Sequence, residues 1–168
     1  NREARDQLLK VLAGGMTDFA IWEQLLFLDN DLQDWQGLYE HGGQALELFP
    51  NQAQFYFLRA IGALQLTKYQ DAVTLVEEGL NYVVDNKFLQ GQMVFLHGEA
   101  LYKLDRQEEA FALFDQALAL DPENYIAMNN YAYYLSLANR DLERAGDHIC
   151  NICETIVYMV EAKREHLN

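Results

Sequence analysis

The sequence predicts an all-α protein made of repeated helix pairs. Long stretches are rich in Ala, Leu, Glu and Gln, which favour helices, and the two prolines lie outside the strongest apolar patterns. Small residues also recur at fixed offsets in successive segments, with a period of about 34 residues. With 168 residues, of which 51% are hydrophobic, the chain has the size and composition of one folded repeat array.

The first predicted element is a helix that flanks the array, within residues 1–18. The segment ARDQLLKVLAGGMTDF places leucine and valine side chains on one side of this helix, which could be the remnant of a preceding repeat. Gly14 and Gly15 stop it, because a left-handed residue costs glycine little. Thr17 or Asp18 then caps the next helix by accepting its free backbone amides.

The segments FLRAIGALQLTKYQDAVTLVEEGL (57–80), FLHGEALYKLDRQEEAFALFDQAL (95–118) and NNYAYYLSLANRDLERA (129–145) share one spacing of small residues. Helices that cross at ~8–10 Å need small side chains at the point of contact, with larger neighbours filling the grooves beside it. The spacing therefore predicts antiparallel helix pairs, each with a turn at LTKY, LDRQ or LANRD. The small residues that recur are Ala60, Ala72 and Gly79 in the first segment and Gly98, Ala110 and Ala117 in the second.

This pattern resembles the tetratricopeptide repeat, a 34-residue helix-turn-helix unit with Trp, Leu, Gly and Tyr on its first helix and Ala, Phe, Ala and Pro on and after its second. The clearest copy, residues 91–124, departs from the signature at Val94 and His97. The residues of this copy on signature positions are Gly98, Leu101, Ala110, Phe114, Ala117 and Pro122.

The other copies are more degenerate. The second carries four extra residues around VDNK, and the first has Leu38 and Gly42 where Ala and Phe are usual. Beyond Gly146 the signature fades, and the apolar spacing there predicts a helical cap over residues 159–168. The resemblance implies a right-handed superhelical solenoid of about four antiparallel helix pairs, with 1–168 as a single array. The four predicted copies are residues 19–52, 53–90, 91–124 and 125–158.

The resemblance also implies a concave surface lined by the first helix of each pair, with contacts at the second, fifth, ninth and twelfth positions. The lining is apolar and aromatic with scattered amides, and Asn130 sits where many such repeats bind an extended peptide backbone. Because no lining position is basic, capture of carboxylate termini, as in co-chaperone repeats, is disfavoured. Alternatively, part of the aromatic stripe is buried between helices. The implied positions are Gln54, Phe57, Ile61, Leu64, Gln92, Phe95, Glu99, Tyr102, Ile126, Asn129, Tyr133 and Ser136, with Ala20, Glu23, Phe27 and Asn30 in the first copy.

The sequence carries no nucleotide-binding, metalloprotease or serine-hydrolase motif, so we expect neither enzyme activity nor a cofactor. The segment HICNIC holds the two cysteines, Cys150 and Cys153, together with His148. A structural zinc site normally needs four ligands, so we expect buried thiols there; a metal or redox role stays open.

Four further residues suggest close packing rather than chemistry. His97 is expected to be a hydrogen-bonded core histidine. Arg59, at the equivalent place in the previous unit, is expected to pair with acidic residues of the preceding repeat, with ligand capture as the alternative. Gly42 and Gly43 lie in a predicted helix, where each costs about 1 kcal/mol relative to Ala, and they indicate close helix approach or a kink.

Charge excludes several partners. The formal net charge of −14 repels nucleic acid and anionic membranes, and no apolar run reaches the ~18 residues of a membrane span. Residues 11–58 contain acidic residues but neither Lys nor Arg, which indicates a solvated acidic face or, less simply, a site for a basic partner.

The sequence therefore predicts a non-enzymatic adaptor that binds a protein or peptide in its concave groove, without nucleic acid or membrane insertion. Two alternatives are an acidic chaperone for a bacterial secretion or assembly system and a structural segment of a longer protein. A bacterial source is expected. The compartment is open: cytoplasmic, or periplasmic if a signal or anchor was removed from a chain that starts at Asn1.

Overall fold

A computed structural model describes residues 2–15, 17–138 and 149–150. Eight helices occupy residues 2–138, and they alternate with short turns. The predicted second helix of the fourth repeat and the predicted C-terminal cap lie almost wholly outside the described residues. The helices are α1 Arg2–Ala13, α2 Phe19–Asp31, α3 Trp35–Leu48, α4 Ala53–Gln65, α5 Tyr69–Leu80, α6 Lys87–Lys103, α7 Gln107–Leu120 and α8 Tyr125–Leu137.

Helices α2 to α7 form three pairs, and the same kind of turn closes each pair. The central turn residues Gln33, Thr67 and Asp105 have φ values of 54°, 60° and 63°, so all three adopt the left-handed conformation. Helices α3 and α4 pack together, as do α5 and α6, so each pair stacks on the next. This is the predicted right-handed solenoid of helix pairs.

Side-chain caps begin four of the helices. Asp18 accepts a hydrogen bond from the amide of Ala20 at the start of α2, which confirms one of the two predicted caps. The first helix ends at Ala13 and is followed by Gly15 with φ of 88°, as the sequence predicts. The extra residues around VDNK lengthen α6 at its start. Asn86 caps this helix, which begins one turn before Gly91.

Small residues set the distance between helices. A Cβ atom on Gly98 would lie 2.6 Å from a ring atom of Phe114 and 3.1 Å from the carbonyl oxygen of Ala110. Gly62 lies as close to the backbone of α3, where its Cβ would be 3.0 Å from the amide nitrogen of Tyr39. The predicted Gly98–Ala110 contact is therefore real, and the large rings of the core, such as Phe55, fill the space beside such contacts.

The acidic stretch is not uniformly solvated. Asp29 is completely buried in α2, where it accepts a hydrogen bond from Arg5 of α1 and lies 2.7 Å from the Nδ1 atom of His41 in α3. A second Arg5 nitrogen donates to Asp34. The expectation of a solvated face is thus wrong at Asp29, because the sequence pattern does not show that Arg5 reaches this carboxylate from an adjacent helix.

Arg59 does not pair with a carboxylate in the described part of the chain. Its guanidinium carbon lies 4.8 Å from the ring centroid of Tyr39. It also covers Gly43, where a Cβ would be 3.2 Å from the guanidinium, while a Cβ on Gly42 would be 2.9 Å from the Cβ of Arg59. The two glycines therefore make room for an arginine, which confirms the prediction of close helix approach, and an aromatic ring replaces the expected acid.

His97 and Cys150 can be compared with the predictions of a hydrogen-bonded core histidine and of buried thiols. His97 is largely buried, but its nearest charged partner is Glu77, at 3.7 Å, which is longer than a hydrogen bond. Cys150 is a free, exposed cysteine, so the expected burial is wrong there, and its neighbour Ile149 is exposed as well. Cys153 and His148 lie outside the described residues.

Candidate functional site

The first helices α4, α6 and α8 enclose a pocket of about 260 Å³. Since these are the first helices of three successive helix pairs, the pocket spans three repeats. Eight of the positions implied by the sequence line it, namely Phe57, Ile61, Leu64, Gln92, Phe95, Glu99, Ile126 and Asn130.

The remaining predicted positions lie elsewhere. Tyr102 packs against Tyr134, with 4.5 Å between ring centroids, so the sequence alternative of burial between helices applies to this ring. Asn129 and Tyr133 of α8 are exposed and are not among the pocket residues. Phe27 of the first copy borders a different pocket, between α1 and α2. The predicted positions thus line one common pocket only from α4 to α8.

Four pocket residues were not predicted. Leu96 and Ala127 each follow a predicted position directly, and Gln65 ends α4. Asn124 enters the pocket from the cap of α8, where its side chain accepts a hydrogen bond from the amide of Ala127. A search for N-cap residues at the start of first helices would have found Asn124, because Asn is a favoured cap.

The apolar residues of the pocket differ in accessibility. Ile126 is 72% exposed, and Phe57 is partly buried. Phe95 is only 7% exposed, and its ring lies 4.7 Å from that of Phe114 in the core. Phe95 therefore forms part of the floor, whereas Ile126 and Phe57 offer apolar surface to a ligand.

Glu99 is the one acidic residue among the pocket residues, and it is partly buried. The hydroxyl of Tyr134 donates a hydrogen bond to its Oε1 atom, at 3.0 Å. Burial raises the pKa of Glu99 above its usual value, against the smaller effects of Tyr134 and of Lys103, one turn later on α6. Burial and the nearby Glu99 likewise raise the pKa of Tyr134.

The pocket combines apolar surface with the amide side chains of Gln65, Gln92, Asn124 and Asn130. Amides donate and accept hydrogen bonds, so they suit the backbone of an extended peptide. In the described residues, His, Cys, Asp and Glu form no group of three or more that could hold a metal ion. Among the described helices, none combines the length and hydropathy required to cross a bilayer.

One family model, described as the tetratricopeptide repeat, matches residues 113–147. Tetratricopeptide repeat protein 16 of Mus musculus is 28% identical over 125 residues, which cover 67% of this chain. The match spans only 16% of that relative's length, so most of the mouse protein has no counterpart in this chain.

Solved structures share the fold at low identity. MamA from Desulfovibrio magneticus is 18% identical, with a TM-score of 0.79 over 94% of this chain and 86% of its own. YrrB, described as a TPR protein with an unusual peptide-binding site, is also 18% identical, with a TM-score of 0.67 over 88% of this chain and 74% of its own. At 18% identity, both likenesses show a shared fold alone.

Proposed function

We propose that the chain is a tetratricopeptide-type repeat array that acts as a non-enzymatic adaptor, whose concave groove binds an extended segment of a partner protein. The observation that carries this proposal is the pocket between α4, α6 and α8, which spans three successive repeats. The peptide-binding site named for YrrB supports the same use of the fold.

The chemistry of the pocket suits a peptide with large apolar side chains. Ile126 and Phe57 supply apolar surface that would be removed from water on binding, worth about 25 cal/mol per Å². The amides of Gln92 and Asn130 face the same space and can bond the peptide backbone, which keeps its polar groups satisfied as water leaves. Apolar contacts then supply the affinity, and the amides fix the register of the peptide.

Panning the protein against displayed random peptides of about 12 residues tests this proposal, since that length at ~3.3 Å per residue crosses three helices packed ~10 Å apart. The selected peptide is synthesised with a fluorophore, and its Kd is measured by fluorescence polarisation. Ile126→Asp and Phe57→Ala should each weaken binding at least ~10-fold, or ~1.4 kcal/mol. Phe95→Ala is avoided because it would also remove the ring contact with Phe114.

Phe88→Ala is the matched control. Phe88 is 59% exposed, lies at the start of α6 and is not a pocket residue, so its loss should leave Kd unchanged. Circular dichroism of each variant verifies that helix content is retained. The proposal fails if no peptide is selected, or if Ile126→Asp and Phe57→Ala bind the selected peptides as tightly as the wild type does.

A further inference from the structure

Glu99 places a carboxylate in a pocket whose other side chains are apolar or carry neutral amides. It lies on α6, the middle of the three helices around the pocket, one turn after Phe95, and it lines the same pocket as Ile126 of α8. The hydroxyl of Tyr134 donates a hydrogen bond to the Oε1 atom of Glu99. Among the described residues, no salt bridge joins Glu99 to Lys or Arg, so Oε2 is available to a group that enters the pocket.

An acid in this position is costly unless a cation meets it. Taking a carboxylate partly out of water disfavours its charged form, and the Tyr134 hydroxyl together with Lys103, one turn away, offsets only part of that cost. A cation at Oε2 would gain more here than on an open surface, because apolar walls lower the effective dielectric constant. The overall charge of −14 adds an attractive field for any positively charged segment.

We infer that the groove selects a segment with a lysine or arginine flanked by apolar residues, and that the basic side chain pairs with Glu99 while its neighbours pack on Ile126 and Phe57. This inference rests on the proposed function and adds the specificity of the same groove. Because Tyr134 holds one carboxylate oxygen, the expected pair is a single charged hydrogen bond rather than a two-pronged one.

The test uses the same displayed library and the selected fluorescent peptide. We expect a Lys or Arg at one fixed place in the selected sequences, next to apolar residues. Glu99→Gln should weaken the peptide about 10-fold, and so should replacing its basic residue with norleucine, which keeps a similar length without the charge. The two changes together should cost little more than either alone, because each removes the same pair.

Glu47→Gln is the matched control, since Glu47 is exposed on α3 and its replacement changes the net charge equally. The inference is overturned if Glu47→Gln weakens binding as much as Glu99→Gln does, because the overall field would then explain the effect. It is also overturned if selected peptides lack a basic residue yet still lose affinity with Ile126→Asp. That last result leaves the proposed function intact. Failure to select any peptide would contradict both the proposed function and the inference about a basic residue.

Discussion

A single missing methyl group on Gly98 sets how closely α6 approaches α7. The added Cβ of Gly98→Ala would meet the ring of Phe114 at 2.6 Å, a distance that real contacts do not tolerate. Since this ring is fully buried, relieving the clash must disturb the core around it. We expect Gly98→Ala to lower the free energy of unfolding by about 1–3 kcal/mol, measured by urea denaturation.

Gly91, two turns earlier on α6, provides the control for Gly98→Ala. A Cβ there would find its nearest neighbours at 3.5 Å, which is ordinary van der Waals contact. Alanine also favours helix over glycine by about 1 kcal/mol, so Gly91→Ala should leave stability unchanged or raise it by up to that amount. Equal destabilisation by both substitutions would show that local helix effects, and not the contact with Phe114, decide the outcome.

His97 should make the stability of the fold depend on pH. Burial lowers the pKa of His97 below its usual 6.5; the smaller influences are Glu77 and Glu109, which raise it, and Arg106, which lowers it. The unfolded chain therefore takes up the proton before the folded chain does. The contribution of His97 to stability is fully present above about pH 6.5 and is lost as the pH falls through the lowered pKa of the folded state.

His97→Gln tests this dependence, with urea denaturation at several values between pH 7.5 and pH 5. The wild type should lose stability relative to the variant as the pH falls, because only the wild type carries the buried imidazole. Glu77→Gln should enlarge that loss, since it removes the carboxylate that raises the pKa of His97. Parallel stability curves for wild type and His97→Gln would contradict the prediction.

At the scale of elements, the repeat pattern predicted most of the architecture. Small residues such as Gly98 and Ala110 mark helix contacts because packing geometry demands them, and they can be read from spacing alone. The groove positions of α4, α6 and α8 follow from the same register. The partners of Asp29 and Arg59 were not readable, because a charged side chain pairs across helices according to three-dimensional distance and not sequence spacing.

Arg5 links helix α1 to the rest of the array by hydrogen bonds to Asp29 and Asp34. Helix α1 contains no fully buried residue, and a free helix of 12 residues is marginal in water, so its stability must come from contacts with α2 and α3. Arg5 provides polar contacts through Asp29 and Asp34, and Leu8, Leu9 and Leu12 pack against the core. Arg5→Ala leaves the buried Asp29 with His41 as its remaining partner. Removing one partner of a buried ion pair lowers the free energy of unfolding by ~3–5 kcal/mol. We expect the low end of that range, because Arg5 is partly exposed.

Amide hydrogen exchange measures this attachment directly. In Arg5→Ala, the amides of α1 should exchange at least ~10-fold faster than in the wild type, while those of α6 and α7 change little. Lys10→Ala removes the same charge from an exposed position of α1 and should have almost no effect. Similar acceleration by both substitutions would mean that helix propensity or net charge, and not the Arg5 contacts, holds α1.

At the scale of the whole molecule, each helix pair packs mainly on its neighbours, so the two ends of the array can open independently. A peptide bound in the groove as proposed would change this, because it would touch α4, α6 and α8 at once and bind only when all three are in place. Such binding would stabilise those helices against opening, whereas the peptide would not contact α1.

Exchange with and without the selected peptide tests this coupling. At a free concentration of 100 times Kd, the peptide should stabilise the binding-competent state by about 2.7 kcal/mol, which slows exchange roughly 100-fold in amides that open only when the groove comes apart. The protection should appear in α4, α6 and α8, leave α1 unchanged and be lost in Ile126→Asp. Protection from exchange spread evenly over the array would instead mean that the repeats open as one unit. Protection confined to α1 and α2 would mean that the peptide binds outside the groove.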